Sequence, residues 1–255
     1  MGQLQGQVAI VTGAAQGLGR AFARRLRDEG CEVVMTDRRE SVLDAAAEIG
    51  ATGHVGDVAD AAHVRRVVDA TIAAHGRVDI LVNNAGEVAP TSALSGFDEA
   101  DAQFDRVFGS NTKGAFLFGR AVAPIMASGG GGGNIVNIST DHVKPCPTCD
   151  RHHGHGGMDL YNASKWALNG LTFDWAKSLK SKGIRVNNIC MGATDTEMLR
   201  GFIGREPDPE YLATWMKPEQ TAQILVELLE EGPTGRTANS IGLYAGFPCV
   251  MPPPE

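Results

Sequence analysis

Residues 8 to 20, Val-Ala-Ile-Val-Thr-Gly-Ala-Ala-Gln-Gly-Leu-Gly-Arg, pass from an apolar stretch through a glycine-rich turn into a helical pattern. This restricts the fold strongly, because a strand without polar alternation is buried on both faces and so belongs in a parallel sheet covered by helices. Glycine supplies the positive φ that the turn needs and lets the backbone approach a ligand closely. The start of the following helix offers free N–H groups and the positive end of a dipole to a pyrophosphate. Gly13, Gln16, Gly17, Leu18 and Gly19 are therefore candidate cofactor contacts. Taken alone, the turn is equally compatible with a merely tight strand-to-helix connection.

Further apolar runs at residues 33–35, 80–82, 135–138, 184–189 and 241–244 alternate with helical stretches. Parallel strands need crossovers, and right-handed crossovers place helices on both faces. The pattern predicts an α/β fold, a Rossmann-type doubly wound parallel sheet of about seven strands. Its ligands are expected at the carboxyl ends of the strands. Residues 1–255 read as a single dinucleotide-binding oxidoreductase domain, with an inserted loop at about 141–159 and a substrate-lid region at about 192–216.

A formal net charge of -7 gives no electrostatic reason to expect nucleic acid or an anionic membrane as partner. No apolar run approaches the roughly 20 residues needed to span a bilayer. The segment Met1-Gly2-Gln3-Leu4-Gln5 lacks the features of a signal peptide, so a cytoplasmic location is expected. Five cysteines argue against a disulfide framework.

Asp37 follows Gly17 by about 20 residues, where a carboxylate accepts the ribose hydroxyls of an adenosine. It would repel a 2′-phosphate, and Gln16 brings no cation to offset that, so NAD is the expected cofactor. Arg38 and Arg39 leave NADP as the alternative. Asp57 and Val58 are candidates to flank an adenine ring, with helix capping as the plain alternative for Asp57.

Tyr161 and Lys165, in Tyr-Asn-Ala-Ser-Lys, fall at i and i+4 on one helical face. A nearby ammonium stabilises phenolate, which predicts a lowered tyrosine pKa and proton exchange near neutral pH. Together with the glycine turn, Asn83-Asn84-Ala85-Gly86 after a strand, and Asn111 in Asn-Thr-Lys-Gly, the sequence resembles the short-chain dehydrogenase/reductase family over essentially its whole length.

That resemblance implies an NAD(H)-dependent oxidoreductase that interconverts a secondary alcohol and a ketone. Tyr161 would be the acid/base, and Lys165 would also hold the nicotinamide ribose. Asn111 would support a water, while Asn84, Ala85 and Gly86 line the cofactor. Gly192, Thr194 and Thr196 would lie at the nicotinamide. The family also implies a homo-oligomer, with a tetramer favoured. The stripe Ala167, Leu171, Trp175 and Leu179 suits either such an interface or the core. The alternatives are an NADPH-dependent carbonyl reductase and a non-catalytic nucleotide-sensing regulatory protein.

Three places depart from the family pattern. Thr140 in Asn137-Ile138-Ser139-Thr140 stands where a second serine is usual, and its hydroxyl is assigned the substrate-orienting role, with Ser139 as fallback. Met191 replaces a proline, which predicts a less rigid loop over the nicotinamide. Tyr244-Ala245-Gly246-Phe247 lacks the usual Asp-Gly-Gly, and Phe247 is expected to reach a substrate pocket. The insertion between Thr140 and Tyr161 holds Cys146, Cys149, His152 and His155, a ligand set that structural zinc accepts. No metal is expected to take part in the chemistry. A solvated or substrate-contacting loop is the competing use of that segment.

Overall fold

The computed structural model describes residues 2–129, 131–144, 146 and 156–254. Its framework is a seven-stranded sheet formed by β1 (Val8–Thr12), β2 (Glu32–Asp37), β3 (Thr52–Val55), β4 (Ile80–Asn83), β5 (Gly133–Thr140), β6 (Ile184–Met191) and β7 (Ser240–Leu243). The strands run parallel in the order β3-β2-β1-β4-β5-β6-β7. Strand order reverses between β1 and β4, and a crevice opens at such a switch point beyond the carboxyl ends of the strands. The doubly wound fold expected from the apolar runs is observed.

Alternation along each strand divides the core in two. Ala9 and Val11 of β1 and Val33 and Met35 of β2 face α1 (Gly17–Asp28), α2 (Val42–Glu48) and α9 (Pro218–Glu230). Ile10 and Val34 face the opposite layer, made by α3 (Ala61–His75), α5 (Gly114–Ser128) and α6 (Asp159–Leu179). Of the remaining helices, α4 (Phe97–Phe108) packs against α6, while α7 (Glu197–Ile203) and α8 (Pro209–Ala213) fall between β6 and α9 in the chain. A π-helical segment, Gly109–Lys113, joins α4 to α5.

Trp175 is buried and packs where Gly119 of α5 has no side chain, while Leu171 and Leu179 lean on the same core cluster. The stripe on α6 is thus largely core. Its exposed side instead presents Trp166 and Phe173.

A buried polar chain crosses this apolar core. Asn83 Nδ2 donates to Asn137 Oδ1 (2.8 Å), and Asn137 Nδ2 donates to Thr172 Oγ1 (2.8 Å). Thr172 Oγ1 in turn donates to Asn188 Oδ1 (2.6 Å), whose amide donates to Asn169 Oδ1 (2.7 Å). The chain ties β4, β5 and β6 to α6. Thr172→Val keeps the shape but strands Asn137 Nδ2 and Asn188 Oδ1 without partners. Unfolding free energy from urea titration is expected to fall by about 1–3 kcal/mol.

Candidate active site

The switch point between β1 and β4 opens into a cleft of about 1980 Å³. This exceeds the roughly 300–1,000 Å³ that serves a drug-sized ligand. Gly13 has φ +63°, and a Cβ there would lie 2.7 Å from Ala85 Cα. Gly17 has φ +52° and begins α1, while a Cβ on Gly19 would collide with the Gly13 carbonyl. Each glycine therefore meets a steric demand that no other residue satisfies without a shift.

Thr12 and Asn84 hold this turn against the end of β4. Thr12 Oγ1 accepts from the Asn84 and Ala85 amides at 3.0 Å each, and Asn84 Nδ2 donates to the carbonyls of Thr12 (2.9 Å) and Gly13 (3.0 Å). Thr12 was not singled out in the sequence; its signal is a polar residue at the end of a fully apolar strand.

Asp37, buried at the end of β2, accepts from the amides of Ala15 (3.1 Å) and Arg39 (3.0 Å), one on each carboxylate oxygen. An ionised carboxylate has about four acceptor positions, so two stay available, and Asp37 lines the cleft. Asp57 Oδ1 accepts from Ala59 N at 2.8 Å, a local turn-capping bond, and both Asp57 and Val58 line the cleft. Val58 is buried where Gly114 lacks a Cβ. Gln16 and Leu18 line the cleft as well.

At the far end, α6 brings Tyr161 and Lys165 beneath the end of β5. Lys165 Nζ donates to the Ile138 carbonyl (2.8 Å) and lies 5.7 Å from the Tyr161 ring centroid. Thr140 Oγ1 donates to Asp141 Oδ1 (3.2 Å) and stands close enough to the Tyr161 phenol to lower its pKa. Ser139 is buried beside Cys190 on β6, to which it is paired, so Thr140 is the hydroxyl that stands beside Tyr161.

Asn111 sits in the π-helical segment, a winding often found at functional sites. Its Oδ1 accepts from Glu87 N (2.6 Å), and its Nδ2 donates to Glu87 O and Ser164 Oγ (2.9 Å each). A Cβ at Gly86 would lie 3.2 Å from Asn111 Oδ1 and 3.4 Å from Lys165 Nζ. Gly86 therefore keeps open the gap where these two polar groups converge.

Residues 7–205 match the family model described as short chain dehydrogenase. The chain belongs to the short-chain dehydrogenase/reductase family. It is 31% identical to a 3-oxoacyl-[acyl-carrier-protein] reductase FabG of Thermotoga maritima, over 96% of this chain and 99% of that one. It is 34% identical to a sorbitol dehydrogenase of Cereibacter sphaeroides, over 86% and 82% of the two chains. The solved 3-ketoacyl-(acyl-carrier-protein) reductase of Brucella melitensis, complexed with NADH, superposes with a TM-score of 0.81 at 28% identity, covering 97% of this chain and all of that one.

Short-chain dehydrogenases/reductases bind a nicotinamide cofactor, and the residues here fit one. The glycine turn forms a cradle that a Cβ would fill, at the start of the twelve-residue α1, with the Asp37 carboxylate bonded to the Ala15 amide at its edge. Opposite the cradle, Gly192 N donates to Leu243 O (2.8 Å), and a Cβ on Gly192 would lie 2.8 Å from Asp141 Oδ2. Thr194 Oγ1 donates to Gly192 O (3.1 Å). Thr196 caps α7 by accepting from Leu199 N (3.3 Å) and abuts Gly17.

Of the departures, Met191 is placed within the sheet and the expectation for Phe247 is revised. Met191 has a backbone N–H, and β6 continues through it in register with Thr140 and Leu243. It is buried at the end of that strand. Tyr244 and Ala245, not Phe247, line the cleft; Phe247 stacks edge-on against Tyr244 at 6.5 Å.

Burial also reverses the expected tyrosine shift. The Tyr161 phenol is pushed up to about 12, first by desolvation; the nearby Thr140 hydroxyl opposes this and the Asp141 charge adds to it. Lys165, buried too, is lowered to about 8 by desolvation. Loss of solvent around the phenolate therefore dominates, and Lys165 is not among the groups that offset it.

Of the four metal-ligand candidates, Cys146 is buried at the cleft. Cys149, His152 and His155 lie outside the described residues. Among the described residues no group of three His, Cys, Asp or Glu is arranged to hold a metal ion. No helix among them is long and apolar enough to cross a membrane.

The Lys165 shift has a thermodynamic consequence. Between pH 8 and 10.5 the unfolded chain holds a proton on this lysine that the fold has released. Its penalty is complete below pH 8 and fades as pH rises. Wild-type stability should therefore increase relative to Lys165→Met from pH 8 to pH 10, by on the order of 1–3 kcal/mol. Denaturant titrations across that range check this; a difference independent of pH would mean that the ammonium is well solvated.

Proposed function

We propose that the protein is an NAD(H)-dependent oxidoreductase that interconverts a secondary alcohol and a ketone. The observation that carries this reading is the convergence of Tyr161, Thr140, Lys165 and Asn111 at the end of a cleft whose other end is the glycine cradle and Asp37. A nucleotide sensor without turnover needs the cradle but not this acid/base group. Arg38 and Arg39 are the features that favour the NADPH alternative, and initial rates with both cofactors test it.

When bound, the nicotinamide supplies or accepts a hydride at C4. The chain's own residues manage the oxygen and its proton. The Thr140 hydroxyl orients the substrate oxygen beside Tyr161. With its pKa held near 12, Tyr161 stays protonated at neutral pH and donates to a carbonyl oxygen as negative charge builds there. In the oxidative direction the same phenol must be deprotonated, so alcohol oxidation is favoured as pH rises. The Lys165 ammonium supplies positive charge to the site. Asn111 braces the Glu87 backbone against α6 and retains an acceptor position on Oδ1 for a water. Gly13, Gln16, Gly17, Leu18 and Gly19 hold the pyrophosphate. Asp57 and Val58 flank the adenine, while Asn84, Ala85, Gly86, Gly192, Thr194 and Thr196 line the nicotinamide half.

The inserted segment at about 141–159 governs substrate access in this reading. Both of its feet are fixed at the mouth. Asp141–Val143 forms a 3₁₀ turn after Thr140, and Thr91 binds Asp159 through its hydroxyl (2.6 Å) and Gly157 through its amide (3.0 Å). Residues 192–216 form the other side of the entrance. A homotetramer is proposed from the exposed apolar groups Phe97, Phe104, Phe116, Trp166 and Phe173 on α4, α5 and α6; light scattering gives its mass.

Tyr161→Phe removes the exchangeable proton but keeps the ring. Turnover with the best alcohol or ketone is expected to fall about a hundredfold or more, with dinucleotide affinity little changed. Near-native turnover would remove Tyr161 from the chemistry. Replacing the insertion with a short turn should change the ranking of an alcohol panel that includes polyols and 3-hydroxyacyl thioesters, without weakening NADH binding. An unchanged ranking would count against the access role.

A further inference from the structure

Glu87 directly follows the Asn84-Ala85-Gly86 turn, and two arginines from separate elements converge on its carboxylate. Arg38 Nη1, from the loop after β2, lies 2.7 Å away, and Arg106 Nε, from α4, lies 3.3 Å away. The carboxylate is mostly buried, at 12% exposure, against 57% for Arg38. Its backbone cannot drift, because Asn111 holds both the Glu87 amide and its carbonyl. Arg38 follows Asp37 in sequence, which makes it a suitable cation for a 2′-phosphate on the adenosine ribose. Arg39 is engaged differently, with its guanidinium on the Gln16 side-chain carbonyl.

We propose that Glu87 is a cofactor-specificity residue that latches Arg38 away from the ribose and so keeps the protein selective against a 2′-phosphate. This rests on the reading of the site as NAD-selective through Asp37. To neutralise a 2′-phosphate, Arg38 would have to give up a charge-assisted hydrogen bond and leave a partly desolvated carboxylate less well paired. The arriving phosphate would also meet Glu87 as a second negative charge beyond Asp37. Arg106 also pairs with Glu87, so the carboxylate stays partly neutralised in its mostly buried position while its hold on Arg38 is moderated. Because Arg38 is more than half exposed, the latch confers a moderate selectivity rather than absolute exclusion.

The test titrates full-length protein with NADH, NADPH and 2′,5′-ADP by calorimetry, so that binding is read apart from turnover. Glu87→Gln preserves shape and removes the charge. The Kd for NADPH and for 2′,5′-ADP is expected to fall about tenfold, and the gain should be lost in the Glu87→Gln, Arg38→Ala double variant. Arg38→Ala alone should move the NADPH Kd by less than about twofold, since a latched guanidinium does not reach the phosphate. That exposed substitution reads the latch even where Glu87→Gln fails to fold. An unchanged NADPH Kd in Glu87→Gln, or a gain that survives Arg38→Ala and so belongs to Arg39 or Arg106, would overturn the proposal. A severalfold loss of NADPH affinity in Arg38→Ala alone would do the same. Asp37→Ala separates the two ideas: an NADH-to-NADPH affinity ratio insensitive to Asp37→Ala removes the Asp37 reading, while the latch still stands or falls on the Arg38 variants.

Discussion

The buried chain of Asn83, Asn137, Thr172, Asn188 and Asn169 is the constraint on which the site depends. An apolar helix face can slide on an apolar sheet at little cost, because hydrophobic burial is not directional. Hydrogen bonds in a dry core are directional, and a one-residue slip would leave several amides without partners, each at a cost of about 1–3 kcal/mol. The chain runs through three strands into α6, the helix that carries Tyr161 and Lys165. The register of the sheet is thereby transmitted to the position of the phenol beside Thr140.

The dinucleotide end is built by sterics instead. Around Gly13 and Gly19 the chain comes so close to itself and to the β4 turn that a methyl group would not fit. Thr12 and Asn84 then fix the separation with four hydrogen bonds. One end of the cleft is thus set by absent side chains and the other by buried polar ones. Glu87 links them: its backbone answers to Asn111 and its carboxylate to Arg38.

Electrostatics in the cleft follow from how far water has been displaced. The i,i+4 spacing of Tyr161 and Lys165 correctly puts them on one face of α6, but spacing says nothing of solvent. In the folded protein both are buried and both pKa values move toward the neutral form, so the phenol is a proton donor at neutral pH rather than a ready base, while Lys165 is still an ammonium there. The positive charge on Lys165 persists up to about pH 8 and is directed at the Ile138 carbonyl.

The sequence by itself determined the parallel sheet, the positions of all its strands but the polar β3, the glycine turn, Asp37 at the end of β2 and the Tyr161/Lys165 face, because each depends on local periodicity or on a single residue's stereochemistry. It left the α6 stripe open between core and interface, and only packing against Gly119 sent Trp175 inward. It missed Thr12, Thr172 and the Glu87 pairing, since polar residues in apolar strands announce burial but not a partner, and Glu87 and Arg38 stand far apart in sequence. Phe247 was misplaced for the same reason: the direction of the chain after β7 depends on what it packs against, and Tyr244 reached the cleft first. The sequence determined which chemical groups are present and on which element each rides. Tertiary structure decided their solvation and their partners, because desolvation and long-range hydrogen bonds exist only once distant segments meet.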